Sequence, residues 1–143
     1  MKKATDGLTG AALDGAFPVS TDGLADAFDF LAQSVETLGL DETVAQRLSV
    51  IVDEMGSNLI RHDPTMTAGD VIRLSLRPVD QGVELRITDP GQPFDPVSFR
   101  LPGTPEIGGR GLALIRGLAV SVEYQRLAGA NHLTVVLAPE TRI

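Results

Sequence analysis

The chain has 143 residues, 43% hydrophobic and 22% charged, which is the size and composition of one globular domain that can bury a core without covalent staples. It has no cysteine, which excludes disulfides, thiolate metal sites and thiol nucleophiles, and its two histidines are too few for a histidine-rich metal centre. The net charge of -7 lies wholly in residues 1–66, with four basic and eleven acidic side chains there against eight of each in residues 67–143; without a Lys/Arg cluster or a tryptophan, direct nucleic-acid binding is disfavoured.

Lys2 and Lys3 are followed by no apolar run of signal or membrane length, so the expected compartment is the cytoplasm, with no membrane partner. The expected organisation is a single domain over residues 1–143, with residues 1–16 an N-terminal extension or edge strand. Ala12 to Val19 can supply that strand. Ser20, Thr21 and Asp22 can cap a helix running to about Leu38, where Gly39 stops it, and Asp41 with Glu42 starts a second. In the second helix Val44, Leu48, Ile51, Val52, Met55 and Leu59 recur at spacings of three and four, an apolar stripe that has to pack on something, expected to be a sheet.

Ile72, Leu74 and Leu76 then alternate with Arg73, Ser75 and Arg77, and after a turn over Pro78 to Gly82 the alternation resumes at Val83, Leu85 and Ile87. Val120, Val122 and Tyr124, a turn through Gly129 and Asn131, and Leu133, Val135 and Leu137 read as a second hairpin. Two hairpins with one dry face each imply a mixed or antiparallel sheet. Between them, residues 89–107 hold five of the nine prolines, which disfavours regular structure and marks a long, functional loop.

Three features can carry chemistry. Asp89 continues the parity of Val83, Leu85 and Ile87, so its carboxylate emerges on the buried side and needs a donor; alternatively, it caps the turn that Pro90 and Gly91 begin. Glu54 and Asn58 stack on one helical face beside the apolar stripe, where an amide oxygen can hold magnesium and a carboxylate can take a hydroxyl proton, or where they form a solvated polar pair. Gly56, costly in mid-helix, signals close approach by packing or by a ligand. Gly108-Gly109-Arg110-Gly111-Leu112 enters a further amphipathic stretch and can hold phosphate on its backbone N–H groups or act as a hinge. His62 falls on the extension of the apolar stripe and reads as a hydrogen-bonded structural histidine; His132 sits on a strand's polar face.

Taken in order, these features resemble the ATP-binding domain shared by gyrase, the Hsp90 chaperone, histidine kinases and the MutL repair protein. More narrowly, they resemble the anti-sigma-factor serine/threonine kinases of bacterial partner switching. Asp53-Glu54-Met55-Gly56-Ser57-Asn58-Leu59-Ile60-Arg61-His62 is similar to that family's N box, Asp89-Pro90-Gly91-Gln92-Pro93-Phe94-Asp95-Pro96 to its first glycine box, and Gly108 to Ile115 to its second. Gly56 and Asp63 depart from the family's pattern, and the lid is short. The resemblance implies an α+β, two-layer fold of the Bergerat type, with helices on one face of a mixed sheet, ATP between the helices, and a lid over residues 90–107.

It also implies roles: Asp89 accepts a hydrogen bond from the adenine amino group, Asn58 holds Mg2+, and Gly91, Gly109 and Gly111 let the backbone approach the nucleotide. Glu54 is the implied catalytic base, and His62, Phe94, Gly108, Arg110 and Leu112 complete the cofactor-binding set. The expected function is an ATP-dependent serine/threonine kinase and anti-sigma factor, with a STAS-type anti-sigma-factor antagonist and a sigma factor as partners and a homodimer possible. The alternative is a partner-switch binding module with little or no kinase activity, in which nucleotide only sets conformation. A detached histidine-kinase catalytic domain would need a phospho-acceptor helical region that 143 residues cannot also supply.

Overall fold

The computed structural model describes residues 12–93, 117 and 119–139. The expected edge strand forms as β1 (Leu13–Pro18) and is followed by α1 (Thr21–Leu38) and α2 (Glu42–His62). Both helices start where their caps stand. Ser20 Oγ accepts from the N–H of Gly23 at 2.9 Å, and Asp41 Oδ1 accepts from that of Val44 at 2.9 Å, satisfying N–H groups that the first helical turn leaves open. Gly39 ends α1 in the left-handed conformation, with φ 67°.

The chain continues through β2 (Val71–Val79), β3 (Gly82–Asp89), β4 (Ser121–Leu127) and β5 (Ala130–Leu137). The strands form one sheet in the order β1-β2-β3-β5-β4. Among the described residues all four pairings are antiparallel, one of the two arrangements the hairpins allowed, which corrects the mixed sheet that the resemblance implies. The reason is topological: β4 lies at the far edge, and β5 returns between it and β3, so β3 and β4, which run in the same direction, are not neighbours.

The helices cover one face. Ala27 and Leu31 of α1, and Val44, Leu48, Ile51, Val52, Met55 and Leu59 of α2, share one hydrophobic cluster with Ile72, Leu74, Leu76, Val83, Leu85, Ile87, Leu133, Val135 and Leu137. The apolar stripe and the strand alternation therefore meet as expected, each fully buried aliphatic contributing about 1.5–3 kcal/mol of transfer free energy. Gly56 is a packing glycine: a Cβ there would come within 2.7 Å of Leu24 Cδ1 of α1. On the opposite face Arg77 and Arg86 flank Glu84, and His132 contacts Thr88 Oγ1 across the β3–β5 pair at 3.3 Å.

Two turns are tighter than their sequence implied. β2 and β3 are joined by Asp80 and Gln81 alone, and Pro78 lies within β2 opposite Val83. That proline needs no partner for a missing N–H, because the pairing with β1 extends only as far as Leu76 among the described residues. The second hairpin turns through Ala128 (φ 52°) and Gly129 (φ 78°), a two-residue turn with both central residues left-handed. Asn131 is therefore not a turn residue but the second residue of β5. The amphipathic stretch after Gly111 lies outside the described residues.

Candidate functional site

An open cleft of about 170 Å³ separates the C-terminal half of α2 from the ends of β3 and β5. Met55, Asn58, Leu59, His62 and Asp63 form one wall, and Asp89, Gln92, Pro93 and Asn131 the other. Helical spacing brings Asn58 and His62 to the same side, one turn apart, while strand parity turns Asp89 toward the helices.

Asp89 is 3% exposed, on the parity expected for it. Its Oδ1 accepts from the N–H of Gly91 at 2.8 Å and from Nδ2 of Asn131 at 3.0 Å. Oδ1 thus performs the turn-capping role, and Oδ2 receives no donor from the described residues. A buried carboxylate oxygen bordering a cleft without a donor is an acceptor position for a ligand.

On the opposite wall, Asn58 borders the cleft, and Glu54 lies one turn earlier, half-buried and outside the cleft lining. Burial, reinforced by the negative charge of Asp53, pushes the Glu54 carboxyl above the ordinary glutamate range; a hydrogen bond with the Asn58 side chain and the charge of Arg61 oppose this. His62 is exposed at the cleft rim, which corrects its reading as a structural histidine on the buried stripe. The stripe's last buried residue is Leu59, and α2 ends at His62, so the final turn no longer presses on the sheet.

Sequence reasoning missed three residues that shape the site. Asp63, noted only as a departure from the family pattern, accepts from the N–H of Gln92 at 2.8 Å through Oδ2, and from the N–H of Thr65 at 2.9 Å and its hydroxyl through Oδ1. Burial works against the charged form of Asp63, but these hydrogen bonds outweigh it and hold the carboxyl below the ordinary aspartate range. Asn131 is 6% exposed, and Arg126 donates from Nη1 to the Gly91 carbonyl at 2.6 Å. Strand parity gave a signal for Asn131, since it shares the face of Leu133 and Val135; nothing comparable marked Asp63 or Arg126.

Gly91 is buried, and a Cβ there would meet Asp63 Oδ2 at 2.6 Å and Leu59 Cδ2 at 2.8 Å. Its missing side chain lets the β3 end close on α2. Phe94, Gly108, Gly109, Arg110, Gly111 and Leu112, with most of the expected lid, lie outside the described residues.

Residues 17–137 match the model of the histidine kinase-like ATPase domain family. The serine/threonine-protein kinase BtrW of Bordetella bronchiseptica is 34% identical over 102 residues, an alignment covering 66% of this chain and 72% of that protein. A crystal structure of the RsbU and RsbW domains of a Mycobacterium tuberculosis protein superposes with a TM-score of 0.64 over 94% of this chain, at 17% identity, a likeness of fold. This chain spans about a third of that structure's length, 34%.

Proposed function

The chain belongs to the histidine kinase-like ATPase domain family, and we propose that it binds ATP in the cleft between α2 and the β3–β5 ends and passes the terminal phosphoryl group to a serine or threonine of a partner protein. The observation that carries this reading is Asp89, a carboxylate buried to 3% exposure on the cleft wall with one oxygen unclaimed among the described residues. Such an acceptor suits an exocyclic amino group like that of adenine.

Among the described residues no cluster of three or more histidine or carboxylate groups is placed to hold a metal. Asn58, a hard amide oxygen at the cleft, fits magnesium's habit of taking few protein ligands beside phosphate oxygens and water. When bound, the cation offsets phosphate charge. Glu54 is the base in this reading: its raised pKa strengthens it as an acceptor for the attacking hydroxyl's proton, and the bond with Asn58 fixes its orientation. His62, at the cleft rim, and Phe94, Gly108, Gly109, Arg110, Gly111 and Leu112 are assigned to the nucleotide by their motifs alone.

The kinase name of the Bordetella relative supports protein phosphorylation, and the likeness to an RsbW domain supports partner switching. On that ground the substrate is a STAS-type anti-sigma-factor antagonist, and a sigma factor is the protein sequestered. A second reading, a nucleotide-responsive binding module, is favoured by the position of Glu54, which does not line the described cleft. Transfer of the γ-phosphoryl label from ATP to the antagonist separates the two. The kinase reading predicts transfer by the native protein, its loss in Glu54→Ala, and nucleotide binding unchanged in that variant; equal transfer by the variant would remove Glu54 from the role of base.

A further inference from the structure

Asp89, Asn131 and Arg126 stand in one row across three strands, because Asp89 pairs with Asn131 in the β3–β5 register and Asn131 with Arg126 in the β4–β5 register. The amide of Asn131 is fully used within this row. Its Nδ2 donates to Asp89 Oδ1 at 3.0 Å and to the Gln92 carbonyl at 2.9 Å, which accounts for both hydrogens. Its Oδ1 accepts from the Tyr124 hydroxyl and from Arg126 Nη1 at 3.0 Å, which accounts for both lone pairs. A side chain with four saturated positions and 6% exposure has nothing left to offer a ligand, although it borders the cleft.

What it does instead is fix its neighbours. One Nδ2 hydrogen holds Asp89 Oδ1, so rotation of the carboxylate would break both this bond and that from Gly91. The other holds the Gln92 carbonyl while Arg126 holds the Gly91 carbonyl, so the segment leaving β3 is tied to the β4–β5 hairpin at two successive peptides. Held by two donors on Oδ1, the carboxylate is fixed in place at the cleft with Oδ2 as its remaining acceptor among the described residues, and the site accommodates a ligand edge that donates.

We propose that Asn131 is the positioning residue that sets base selectivity: it locks Asp89 so that the cleft accepts a purine with an exocyclic amino group facing the carboxylate and discriminates against one presenting a carbonyl there. This rests on the nucleotide-binding reading and deepens it.

Titration calorimetry with ATP and with GTP on the native chain, Asn131→Ala and Asn131→Asp tests it, with the unliganded thermal transition recorded for each. The aspartate variant keeps the shape but replaces the donor by a carboxylate, which must take up a proton before it can donate to Asp89. The other titratable or charged groups about this position are His62 and Asp63 at the end of α2 and Tyr124 and Arg126 on β4. The native chain is expected to prefer ATP; Asn131→Ala should bind ATP about ten- to a hundredfold more weakly, the scale of one lost hydrogen bond to a charged group, and should narrow the ATP-to-GTP ratio. Asn131→Asp should lose ATP binding at pH 7.5 in that same range and recover part of it at pH 5.5, a recovery absent in the native chain. Variants that bind ATP within threefold of native with an unchanged ratio would overturn the proposal, as would equal weakening toward both nucleotides at both pH values, which marks a merely structural role. No ATP binding by the folded native chain would overturn the underlying reading and this proposal with it.

Discussion

Asp89 shows how a residue's burial becomes chemistry. A carboxylate at 3% exposure is stable only where donors meet it, and two donors converge on Oδ1 while the described residues leave Oδ2 without one. The sequence made Asp89 legible through strand parity, since Val83, Leu85 and Ile87 fix which way it points. Asp63 was not legible, because its partner Gln92 lies 29 positions away and no periodicity links them. Its lowered pKa gives a sign to test: a carboxyl held charged in the native state stabilises the fold above the unfolded aspartate value, about 3.9, and that contribution is lost as pH falls through its lower native value. Asp63→Asn should therefore lower the unfolding temperature at pH 7, and the gap to the native chain should close as pH is taken from about 5 toward 2. A gap independent of pH would remove the carboxylate's charge from the explanation. Glu54 is shifted the other way, mainly by burial, so if it is the base, phosphoryl transfer should rise with pH through a limb set above about 4.3.

At the scale of elements, caps and apolar spacing marked both described helices and the middle of each strand, and the turns were misplaced where rarer backbone geometry won. Ala128 is the clearest instance: an alanine at φ 52° pays a steric cost that composition alone does not predict, so the turn was expected nearer Asn131. That strain is recoverable. Ala128→Gly or Ala128→Asn should raise stability by about 1 kcal/mol in denaturant unfolding, because both residues tolerate the left-handed region. Gly23 behaves in the opposite sense: a Cβ there would lie 1.9 Å from the Pro18 carbonyl oxygen, which is backbone and cannot swing aside. Gly23→Ala should destabilise the fold by more than about 2 kcal/mol by forcing α1 away from β1, and an unchanged midpoint would show that the two elements separate easily.

The whole molecule divides its labour between its layers. The sheet's alternation and the α2 stripe make the core; Asp89 and Asn131, paired at one end of the helix-facing side, belong to the cleft wall, and Arg126 braces them from β4. The order and spacing of three short motifs made the family legible before any geometry, whereas the bonds among Asp63, Asn131 and Arg126 needed the register of three strands. The acidic excess also has a place: Asp22, Asp26, Asp29, Glu36, Glu42 and Asp53 are exposed on α1 and α2, a face complementary to a basic protein surface. If that face meets the sigma factor proposed as a partner, the association rate should fall steeply between about 0.05 and 0.5 M salt as charges are screened; a salt-independent rate would place the interface elsewhere.

The central claim, a nucleotide held by Asp89, is tested most directly by thermal unfolding with and without magnesium and ATP, for the native chain and Asp89→Asn side by side. At a hundredfold excess over the dissociation constant, binding contributes about 2.7 kcal/mol, a rise of roughly 5 to 10 °C for a domain of this size, and the substitution should abolish it while the variant still unfolds cooperatively. A native chain that shows no shift at saturating nucleotide, or a variant that keeps the full shift, would contradict the account.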